Sequence, residues 1–309
     1  MLDLSIVIVS WNVKDLLRRC LASVISDQGS GIRGAEIVVV DNGSTDGSVA
    51  MVREEFPRVC LIANETNVGF TNANNQALAE CRGRTLLLLN PDTEVRPGAL
   101  EAMVAYMDAH PQVGALGPQL LHPDGSVQSS RRRFPTLVTA FLESTVLQRW
   151  FPDHAVLRRY YLLDRPDDEV QEVDWVVGAA ILMRREAWDQ VGPLDERFFM
   201  YSEDLDWCRR AKAQGWRVVY LPTAQVVHYG AQSSEQVKAF QHIHFQRSKV
   251  RYFAKHHGPW PAEALRLFLL ATYVYQWIEE GLKWLLGHKR PLRAARVKAY
   301  GQVLRSGLR

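Results

Sequence analysis

Short apolar runs rich in β-branched residues or leucine recur along the first 121 residues, and segments with apolar positions at helical spacing separate them. Five of these runs predict buried strands, over 4–10, 36–41, 59–63, 86–89 and 113–121. Helices are expected between them, over 13–26, 48–56, from 67 to about 80, and 97–110. The alternation predicts a parallel sheet covered by helices, with right-handed crossovers.

Further elements are expected downstream. The pattern predicts one buried strand over 173–183, two short strands over 216–220 and 225–228, a helix over 184–191, and another helix that begins at Ser202-Glu203. Thr45 or Asp46 is the expected N-cap of the second helix, Ser202 suits the same position in the later one, and Pro97 suits a first helical turn.

Polar side chains stand where several predicted strands end. Asn12 follows the first strand, Asp41 ends the second, and Asn90-Pro91-Asp92-Thr93 follows the leucine run. Ligands bind at this edge of open α/β sheets, and a carboxylate with neighbouring oxygens can anchor a divalent cation that holds phosphates. A plain turn in which Asp92 caps the next helix is the alternative.

Phosphate-binding signals are mixed. Residues 67–75 place several amides and hydroxyls at the start of a helix, where free N–H groups favour anions. No G-x-G-x-x-G follows the first strand and no G-x-x-x-x-G-K-[ST] occurs, which argues against a dehydrogenase and a P-loop protein. The cluster Arg131-Arg132-Arg133 is typical of a solvated face, with phosphate binding as the second option.

The last part of the chain, from Glu235, is expected to be helical. Within 264–286 aromatic and aliphatic residues dominate, but the uncharged core 267–278 is well short of the roughly 20 residues that a membrane span needs. Basic residues flank it, which favours a pair of interfacial helices at the inner membrane surface. A helical subdomain packed on the core, or on a second subunit in a homodimer, is the alternative.

Composition narrows the class of protein only modestly. The chain has 309 residues, of which 47% are hydrophobic, enough for a sizeable core. A net charge of +3 gives no reason to expect nucleic-acid binding. The four cysteines are far apart in sequence, which favours reduced thiols, and the first residues carry an acid instead of the basic start of a signal peptide. A cytoplasmic location is expected.

Taken together, the motifs resemble the family 2 glycosyltransferases of GT-A fold, in particular their rhamnosyltransferase-like branch. The resemblance rests on the following segments: 5–12, 38–47, Asn67-Val68-Gly69-Phe70 with Asn74-Asn75, Asn90-Pro91-Asp92-Thr93, Phe199-Met200-Tyr201-Ser202-Glu203-Asp204, and Val227-His228. It implies a GT-A domain over 1–235, with a nucleotide-sugar half to residue 121 and an acceptor half from 122, followed by a helical extension over 236–309.

The resemblance also implies ligand-binding residues. Nucleotide-sugar contacts would come from Ser10, Asn12, Asp41, Asn42, Asn67, Gly69, Asn72, Asn90 and Asp92. Asp41 would accept a hydrogen bond from the base, and Asp92 with His228 would bind Mg²⁺ or Mn²⁺. Asn90 stands where the family's Asp-x-Asp motif has its first aspartate, so metal affinity is expected to be lower. Trp175 and Gly178 would form the acceptor floor.

The implied activity is an inverting transfer from a nucleoside-diphosphate sugar to a lipid-linked or polysaccharide acceptor in bacterial cell-envelope synthesis. Asp204 is the expected general base, and Glu203 would orient the acceptor or the base. The leading donor is dTDP-rhamnose. UDP-hexose, UDP-galactofuranose, a non-catalytic nucleotide-sugar-binding protein and a nucleotidyltransferase are the alternatives.

Overall fold

The computed structural model describes residues 2–27, 32–230 and 238–309. The chain groups into two compact units. The sheet unit comprises Met1–Phe134, Tyr161–Phe199 and Glu203–Ser233; the helical unit comprises Pro135–Tyr160, Met200–Ser202 and Ser234–Arg309. Residues 135–160 therefore group with the C-terminal helices, whereas the sequence suggested a single boundary at residue 235.

The described strands all lie in the sheet unit. They are β1 Leu4–Ser10, β2 Ala35–Asp41, β3 Cys60–Ala63, β4 Thr85–Leu89, β5 Thr93–Val95, β6 Val113–Leu121, β7 Val127–Gln128, β8 Arg131–Arg132, β9 Gln171–Val173, β10 Trp175–Val176, β11 Ala180–Arg184 and β12 Arg217–His228.

The described helices fall in both units. Those of the sheet unit are α1 Lys14–Ser26, α2 Ser48–Glu55, α3 Phe70–Glu80, α4 Ala99–Ala109, α8 Arg185–Val191 and α9 Glu203–Ala213. Those of the helical unit are α5 Leu137–Leu142, α6 Val146–Trp150, α7 Ala155–Tyr160, α10 Lys238–His257, α11 Pro259–Leu285 and α12 Arg290–Ser306.

The main sheet has the order β3-β2-β1-β4-β11-β6-β12-β5, with β7 beside β6 and β9 beside β12. β1 to β4 pair in parallel, as the alternation predicts. β11 lies antiparallel between β4 and β6, so the five predicted strands do not form one uninterrupted parallel sheet. Local apolar patterns reveal a strand, but the choice of partner depends on contacts distant in sequence.

The leucine run forms β4, the strand expected to be buried on both faces. Leu87 and Leu89 pack into one apolar cluster with α1 and α4, and Leu86 and Leu88 pack into a second cluster with α3 and α9. Helices therefore cover both faces of the sheet, and the polar residues after β4 stand at its carboxyl edge.

The structure corrects two predicted strand assignments and excludes the alternative given for Asp92. The expected strand over 173–183 divides into β10 and β11, because the chain turns at 177–179. The two short strands over 216–228 are one strand, β12, with an irregular register between Leu221 and Gln225. Asp92 caps no helix, since the strand β5 follows it directly.

Helix starts were also mispredicted in two places. The N-cap residue of α2 is Gly47 at φ 86°, although Asp46 accepts a hydrogen bond from the Ser48 N–H at 3.0 Å. α4 has Gly98 at φ 80° as its N-cap residue, so Pro97 lies before the helix. Both glycines adopt a left-handed conformation that favours glycine over residues with a side chain.

The arginine cluster is not a uniformly solvated face. Arg131 is buried, and its guanidinium donates to the carbonyls of Pro166 at 2.6 Å and Arg165 at 2.8 Å, with the Tyr220 ring beneath it. This arginine fixes the acidic loop before β9, so a packing role replaces the solvated one. The four cysteines, all within the described residues, are unpaired as predicted.

The helical unit is held partly by buried polar contacts. Glu280 of α11 pairs with Arg293 and Arg296 of α12 at 2.7 and 3.3 Å, and Tyr273 of α11 lies 3.1 Å from His242 of α10. None of the helices that the structure describes is long and apolar enough to cross a membrane. A loop is also expected from the sequence over 229–234, and most of it lies outside the described residues.

Candidate functional site

Ser10 and Asp41 stand side by side at the carboxyl ends of β1 and β2, in register with each other. Both are buried, and the Ser44 N–H donates to one Asp41 carboxylate oxygen at 2.9 Å. Within the described chain, the other oxygen, Oδ1, and the Ser10 hydroxyl have no hydrogen-bond partner. Buried oxygens of this kind are costly to leave unpaired, which points to a ligand that donates hydrogen bonds here.

Asn12 follows Ser10 by two residues and contacts the loop after β2. It has the left-handed φ of 53°, its side-chain oxygen accepts from the Thr45 N–H at 2.8 Å, and its own N–H donates to Ser44 Oγ at 2.9 Å. Asn12 therefore joins the loops that follow β1 and β2.

Asn42 has internal partners at both ends of its amide. Its nitrogen donates to Asn67 Oδ1 at 3.1 Å and to the Gly69 carbonyl at 3.2 Å, and its oxygen accepts from Asn64 at 3.2 Å and the Val68 N–H at 3.3 Å. Asn42 and Asn67 thus shape the loop that leads into α3.

Gly69 lies where another segment approaches closely. It has φ 95°, and a Cβ placed there would lie 2.8 Å from the Phe199 ring and carbonyl. The Phe70 N–H donates to that carbonyl at 2.8 Å. In the first turn of α3, Asn72 donates to the Val68 carbonyl, while its buried Oδ1 has no hydrogen-bond partner in the described structure.

Asn90, Asp92 and His228 meet at the other side of the edge. The Asn90 N–H donates to the Ala179 carbonyl at 2.9 Å, which ties the end of β4 to the turn before β11. Pairing of β5 with β12 sets His228 opposite Thr93. As a result, His228 Nε2 lies 3.4 Å from Oδ1 of Asp92, which is 4% exposed.

The other ring nitrogen of His228 contacts a residue that the sequence did not suggest. Nδ1 lies 2.7 Å from Gln128 Oε1, and Nε2 is buried without a hydrogen-bond partner in the described part of the chain. The described ranges contain no group of three or more His, Cys, Asp or Glu side chains arranged to hold a metal. Asp92 and His228 nevertheless supply an oxygen and a nitrogen suited to a divalent cation.

Glu203 and Asp204 begin α9. Asp204 Oδ2 accepts from the Gly178 N–H and Oδ1 from the Leu205 N–H, both at 2.7 Å. Burial raises the pKa of Asp204, and these two N–H groups oppose that rise. Burial raises the pKa of Glu203 well above its usual range, and the charge of Asp204 raises it further.

The two carboxylates line one small cavity on the face of the sheet that α3 and α9 cover. Its other walls are mostly apolar: Phe70, Leu88, Gly178, Ile181, Met183, Leu194 and Trp207. Immediately before α9 in the sequence, Tyr201 and Ser202 have φ values of 68° and 67°, outside the extended range usual for a capping serine. Consecutive left-handed residues without glycine store strain, which is a frequent feature of functional sites.

Of the two predicted acceptor residues, Gly178 contacts Asp204 directly. Gly178 donates its N–H to that carboxylate, and a Cβ there would lie 3.1 Å from Asp204 Oδ2. Trp175 is half-buried and donates its ring N–H to the Arg133 carbonyl at 3.0 Å. The structure thus gives Gly178 a role in holding Asp204, in addition to leaving room.

Several buried polar atoms without a hydrogen-bond partner lie in the predicted site. Among the residues that the structure describes, five of the predicted site residues carry one: Ser10, Asp41, Asn72, Glu203 and His228. All five stand on or next to the carboxyl edge of the sheet. Sequence reasoning missed Gln128, and it named Phe199 only as part of a motif, without its contact to Gly69. The only local signal for Gln128 is the sequence His122-Pro123-Asp124-Gly125, which is typical of a tight turn and folds the chain back along β6.

Comparison with known proteins identifies the family. The profile of Glycosyl transferase family 2 matches residues 5–192. The N-acetylglucosaminyl-diphospho-decaprenol L-rhamnosyltransferase of Mycobacterium tuberculosis (strain ATCC 25618 / H37Rv) is 32% identical over 274 residues, which cover 85% of this chain and 88% of that protein. Rhamnosyltransferase WbbL of Escherichia coli (strain K12) is 26% identical over 266 residues, covering 81% and 92%.

Solved structures agree at the level of fold. The mannosyltransferase PcManGT from Pyrobaculum calidifontis, in complex with GDP-Man and Mn²⁺, aligns with a TM-score of 0.58 at 18% identity, over 98% of this chain and 85% of that one. The GT-A fold expected from the motifs is therefore confirmed. The family profile matches more than half of this chain, and the chain therefore belongs to glycosyl transferase family 2.

Proposed function

We propose that this glycosyltransferase moves L-rhamnose from dTDP-rhamnose to a lipid-linked glycan acceptor, with inversion at the anomeric carbon. The names of the two relatives support rhamnose as the sugar, and the name of the mycobacterial protein supports an acceptor linked to a lipid diphosphate. The structural observation that carries the chemistry is the Asp204 carboxylate, which two N–H groups fix beside Gly178, where it lines a small cavity.

The donor is proposed to bind along β1, β2 and the start of α3. Asp41 Oδ1 would accept the ring N–H of thymine, and Ser10 Oγ lies next to it. Asn12 and the loop shaped by Asn42 and Asn67 would enclose the nucleoside, while Gly69 and Asn72 would lie close to the diphosphate. The N–H groups at the start of α3 favour the negative charge of that group.

Mg²⁺ or Mn²⁺ would be held by Asp92 and His228 together with donor phosphate oxygens, with Asn90 nearby. The buried, unpartnered Nε2 of His228 at 3.4 Å from Asp92 Oδ1 fits such a cation. When bound, the cation supplies charge stabilisation for the departing diphosphate. Two protein ligands suffice, since Mg²⁺ commonly takes its remaining ligands from substrate phosphates and water.

Asp204 is proposed as the general base. The acceptor oxygen forms its bond to the anomeric carbon from the face opposite the diphosphate, the bond from carbon to the phosphate oxygen breaks, and the acceptor proton passes to Asp204. A raised pKa suits this task, because a more basic carboxylate takes the proton more readily. Trp175 and Gly178 would border the acceptor.

The test separates donor choice from catalysis. Thermal shifts with dTDP-, UDP- and GDP-sugars, each with and without Mn²⁺, identify the donor, since a ligand of the folded state raises Tm. Release of dTDP is then followed for wild type, Asp204→Asn and the control Asp195→Asn, which loses a pair with Arg197. Asp204→Asn should lower kcat by about 10²–10⁴-fold with the dTDP shift retained. An unchanged kcat in Asp204→Asn would show that Asp204 is not the general base. A larger Tm shift with a UDP-hexose than with dTDP-rhamnose would show that the donor is a UDP-hexose.

We further propose that the enzyme works as a peripheral protein at the inner face of the cell membrane. Along α11 and its end, every exposed residue from 267 to 286 is apolar or aromatic. These residues are Leu267, Ala271, Val274, Tyr275, Trp277, Ile278, Leu282, Trp284, Leu285 and Leu286, and we call them the apolar stripe. Exposed Lys289 and Arg290 follow it, a pattern typical of a helix that lies in the plane of an anionic membrane.

A further inference from the structure

Gln128 lies on the second strand of a short hairpin that ends beside the proposed metal ligands. β7 pairs antiparallel with β6, with Gln128 opposite Leu120, and the His122 N–H closes the turn on the Ser126 carbonyl at 2.8 Å. β12 runs along β6 with Val227 opposite Leu121. The hairpin thereby brings the Gln128 side chain to the imidazole at the end of β12.

The amide of Gln128 spans two imidazoles. Its oxygen lies 2.7 Å from His228 Nδ1, and its nitrogen lies 3.3 Å from His122 Nδ1. A neutral imidazole carries one N–H, and an amide oxygen only accepts. Nδ1 of His228 therefore carries a hydrogen, and in the neutral ring that a metal ligand requires, Nε2 presents a lone pair.

That lone pair faces Asp92. Nε2 and the Asp92 Oδ1 atom are 3.4 Å apart, and Nε2 has no hydrogen-bond partner in the described structure. Two acceptors that face each other in a buried place are unfavourable unless a positive charge lies between them. The arrangement is the one in which both atoms can ligate a cation.

We propose that Gln128 is a positioning residue that holds His228 in the Nδ1–H tautomer and so prepares Nε2 and Asp92 for a divalent cation. The inference rests on the metal ligands assigned in the proposed function. Such outer partners fix ring orientation and tautomer in many metal sites, and their removal typically costs 10–100-fold in affinity. His122 holds the amide with its oxygen toward His228, because it accepts from the amide nitrogen.

Three substitutions separate this role from packing. Gln128→Glu keeps an acceptor toward Nδ1, whereas Gln128→Leu keeps the approximate volume and removes it. Gln119→Leu is the matched control on β6, because Gln119 is a buried glutamine that contacts the Asp167 carbonyl and Gln225 instead of His228. Thermal melts of all three report whether each variant is folded.

The first readout is the tautomer in metal-free protein. Nitrogen NMR of histidine-labelled chain resolves protonated from unprotonated ring nitrogens, and His228→Gln identifies the His228 signals among those of the nine histidines. Wild type, Gln128→Glu and Gln119→Leu should show Nδ1–H, and Gln128→Leu should show a mixture or Nε2–H. An unchanged tautomer in folded Gln128→Leu would overturn the proposal.

The second readout is Mn²⁺ binding in the presence of dTDP, measured from the paramagnetic resonance signal of free Mn²⁺. Gln128→Leu should weaken binding by about 10–100-fold, Gln128→Glu should stay near or above wild-type affinity, and Gln119→Leu should match wild type. If His228→Ala binds Mn²⁺ as wild type does, both the ligand role of His228 and the role of Gln128 are overturned. If His228→Ala weakens Mn²⁺ binding but Gln128→Leu binds Mn²⁺ as wild type does, the assignment of His228 as a ligand stands and the proposed role of Gln128 is overturned.

Discussion

At the scale of residues, the centre of the site is a pair of adjacent carboxylates in unequal surroundings. Both oxygens of Asp204 accept N–H groups at the start of α9 and from Gly178, so negative charge is stabilised there. Glu203 is 6% exposed, and its Oε2 has no hydrogen-bond partner in the described chain. Since two neighbouring buried carboxylates resist joint ionisation, the charge belongs on Asp204 and the proton on Glu203.

Glu203→Gln should therefore stabilise the protein near neutral pH. The folded pKa of Glu203 is raised above its unfolded value near 4.5, so wild-type stability is lost as pH rises through the folded pKa. Glutamine does not titrate and avoids this loss, which amounts to about 1.4 kcal/mol for each pKa unit of difference. Urea unfolding of both proteins between about pH 4 and 8 measures their free energies of unfolding, and the difference between the two should become smaller as the pH falls.

The matched control is Glu101→Gln, which changes an exposed glutamate in the first turn of α4. It should not reproduce the gain in stability expected of Glu203→Gln, because it leaves the buried pair of Glu203 and Asp204 intact. If the stability of wild type and that of Glu203→Gln changed with pH in parallel, Glu203 would be ionised in the folded protein. The assignment of the proton to Glu203 would then be wrong.

Asp41 gives a second prediction at this scale, on donor affinity. In Asp41→Asn the amide oxygen can still accept from the Ser44 N–H, which leaves the NH₂ group where Oδ1 stands. The NH₂ group and the ring N–H of thymine are both hydrogen-bond donors, so they would not bind each other. Loss of a hydrogen bond to a charged group costs about 1.5–3 kcal/mol, so the Kd for dTDP should rise roughly 10–100-fold.

Calorimetric titration with dTDP checks this value, with Mn²⁺ held constant. Asp46→Asn serves as the comparison, because Asp46 lies in the same loop but binds the Lys14 and Ser48 N–H groups. An Asp41→Asn variant that binds dTDP as tightly as Asp46→Asn would exclude Asp41 from base recognition.

At the scale of elements, the start of α3 depends on a glycine that two constraints require. Gly69 has φ 95°, and a side chain there would meet Phe199 at 2.8 Å. Gly98, before α4, also has a positive φ, of 80°, but a Cβ would meet nothing within 4 Å. Gly98→Ala should cost about 1–3 kcal/mol from backbone strain alone.

Gly69→Ala should cost more than Gly98→Ala, because it adds the displacement of Phe199 to the backbone strain. Urea unfolding of the two variants gives this comparison directly. The Kd for dTDP should rise in Gly69→Ala alone, since only that helix start borders the proposed donor site. If Gly69→Ala and Gly98→Ala lost the same stability and Gly69→Ala bound dTDP as wild type does, the close approach of Phe199 to Gly69 would contribute neither to stability nor to donor binding.

How far the sequence predicts these elements depends on the range of the interactions. β1, β4 and β6 follow from local apolar runs, and their ends locate Ser10, Asp92 and the ligand edge. The insertion of β11 between β4 and β6 does not follow, because pairing depends on residues about 90 positions apart. At the start of α2 a positive-φ glycine, Gly47, replaces the side-chain cap expected at Thr45 or Asp46, and at α4 Gly98 places Pro97 before the helix.

The candidate site shows the same division. Asp41, Asp92, Glu203, Asp204 and His228 were predicted from motif order, and the structure places them along the carboxyl edge of one sheet. The tautomer-fixing contact of Gln128 and the packing of Phe199 on Gly69 could not be predicted. Each contact joins segments distant in sequence, and the motif that contains Phe199 does not say which residue the ring meets.

At the scale of the whole molecule, the apolar stripe leads to a prediction about location. Leu267, Val274 and Ile278 are spaced seven and four residues apart, so they project from one side of α11, while Leu265 and Leu269 are buried. Exposed apolar side chains that form a continuous face indicate an interaction surface. Basic residues at its end match anionic lipid, and each contributes about 1 kcal/mol near such a surface.

Full-length chain should therefore float with vesicles that contain phosphatidylglycerol, and less with vesicles of phosphatidylcholine alone. Replacing Leu267, Val274 and Ile278 together by Gln should abolish flotation, because it removes apolar area worth about 25 cal/mol per Å². The matched control replaces Val138, Leu163 and Val170, which are equally exposed but lie outside the stripe, and it should float as wild type does. Analytical ultracentrifugation of the same proteins tests the competing dimer: if the stripe variant dissociates a dimer and wild type never floats, the stripe binds a second copy instead of lipid.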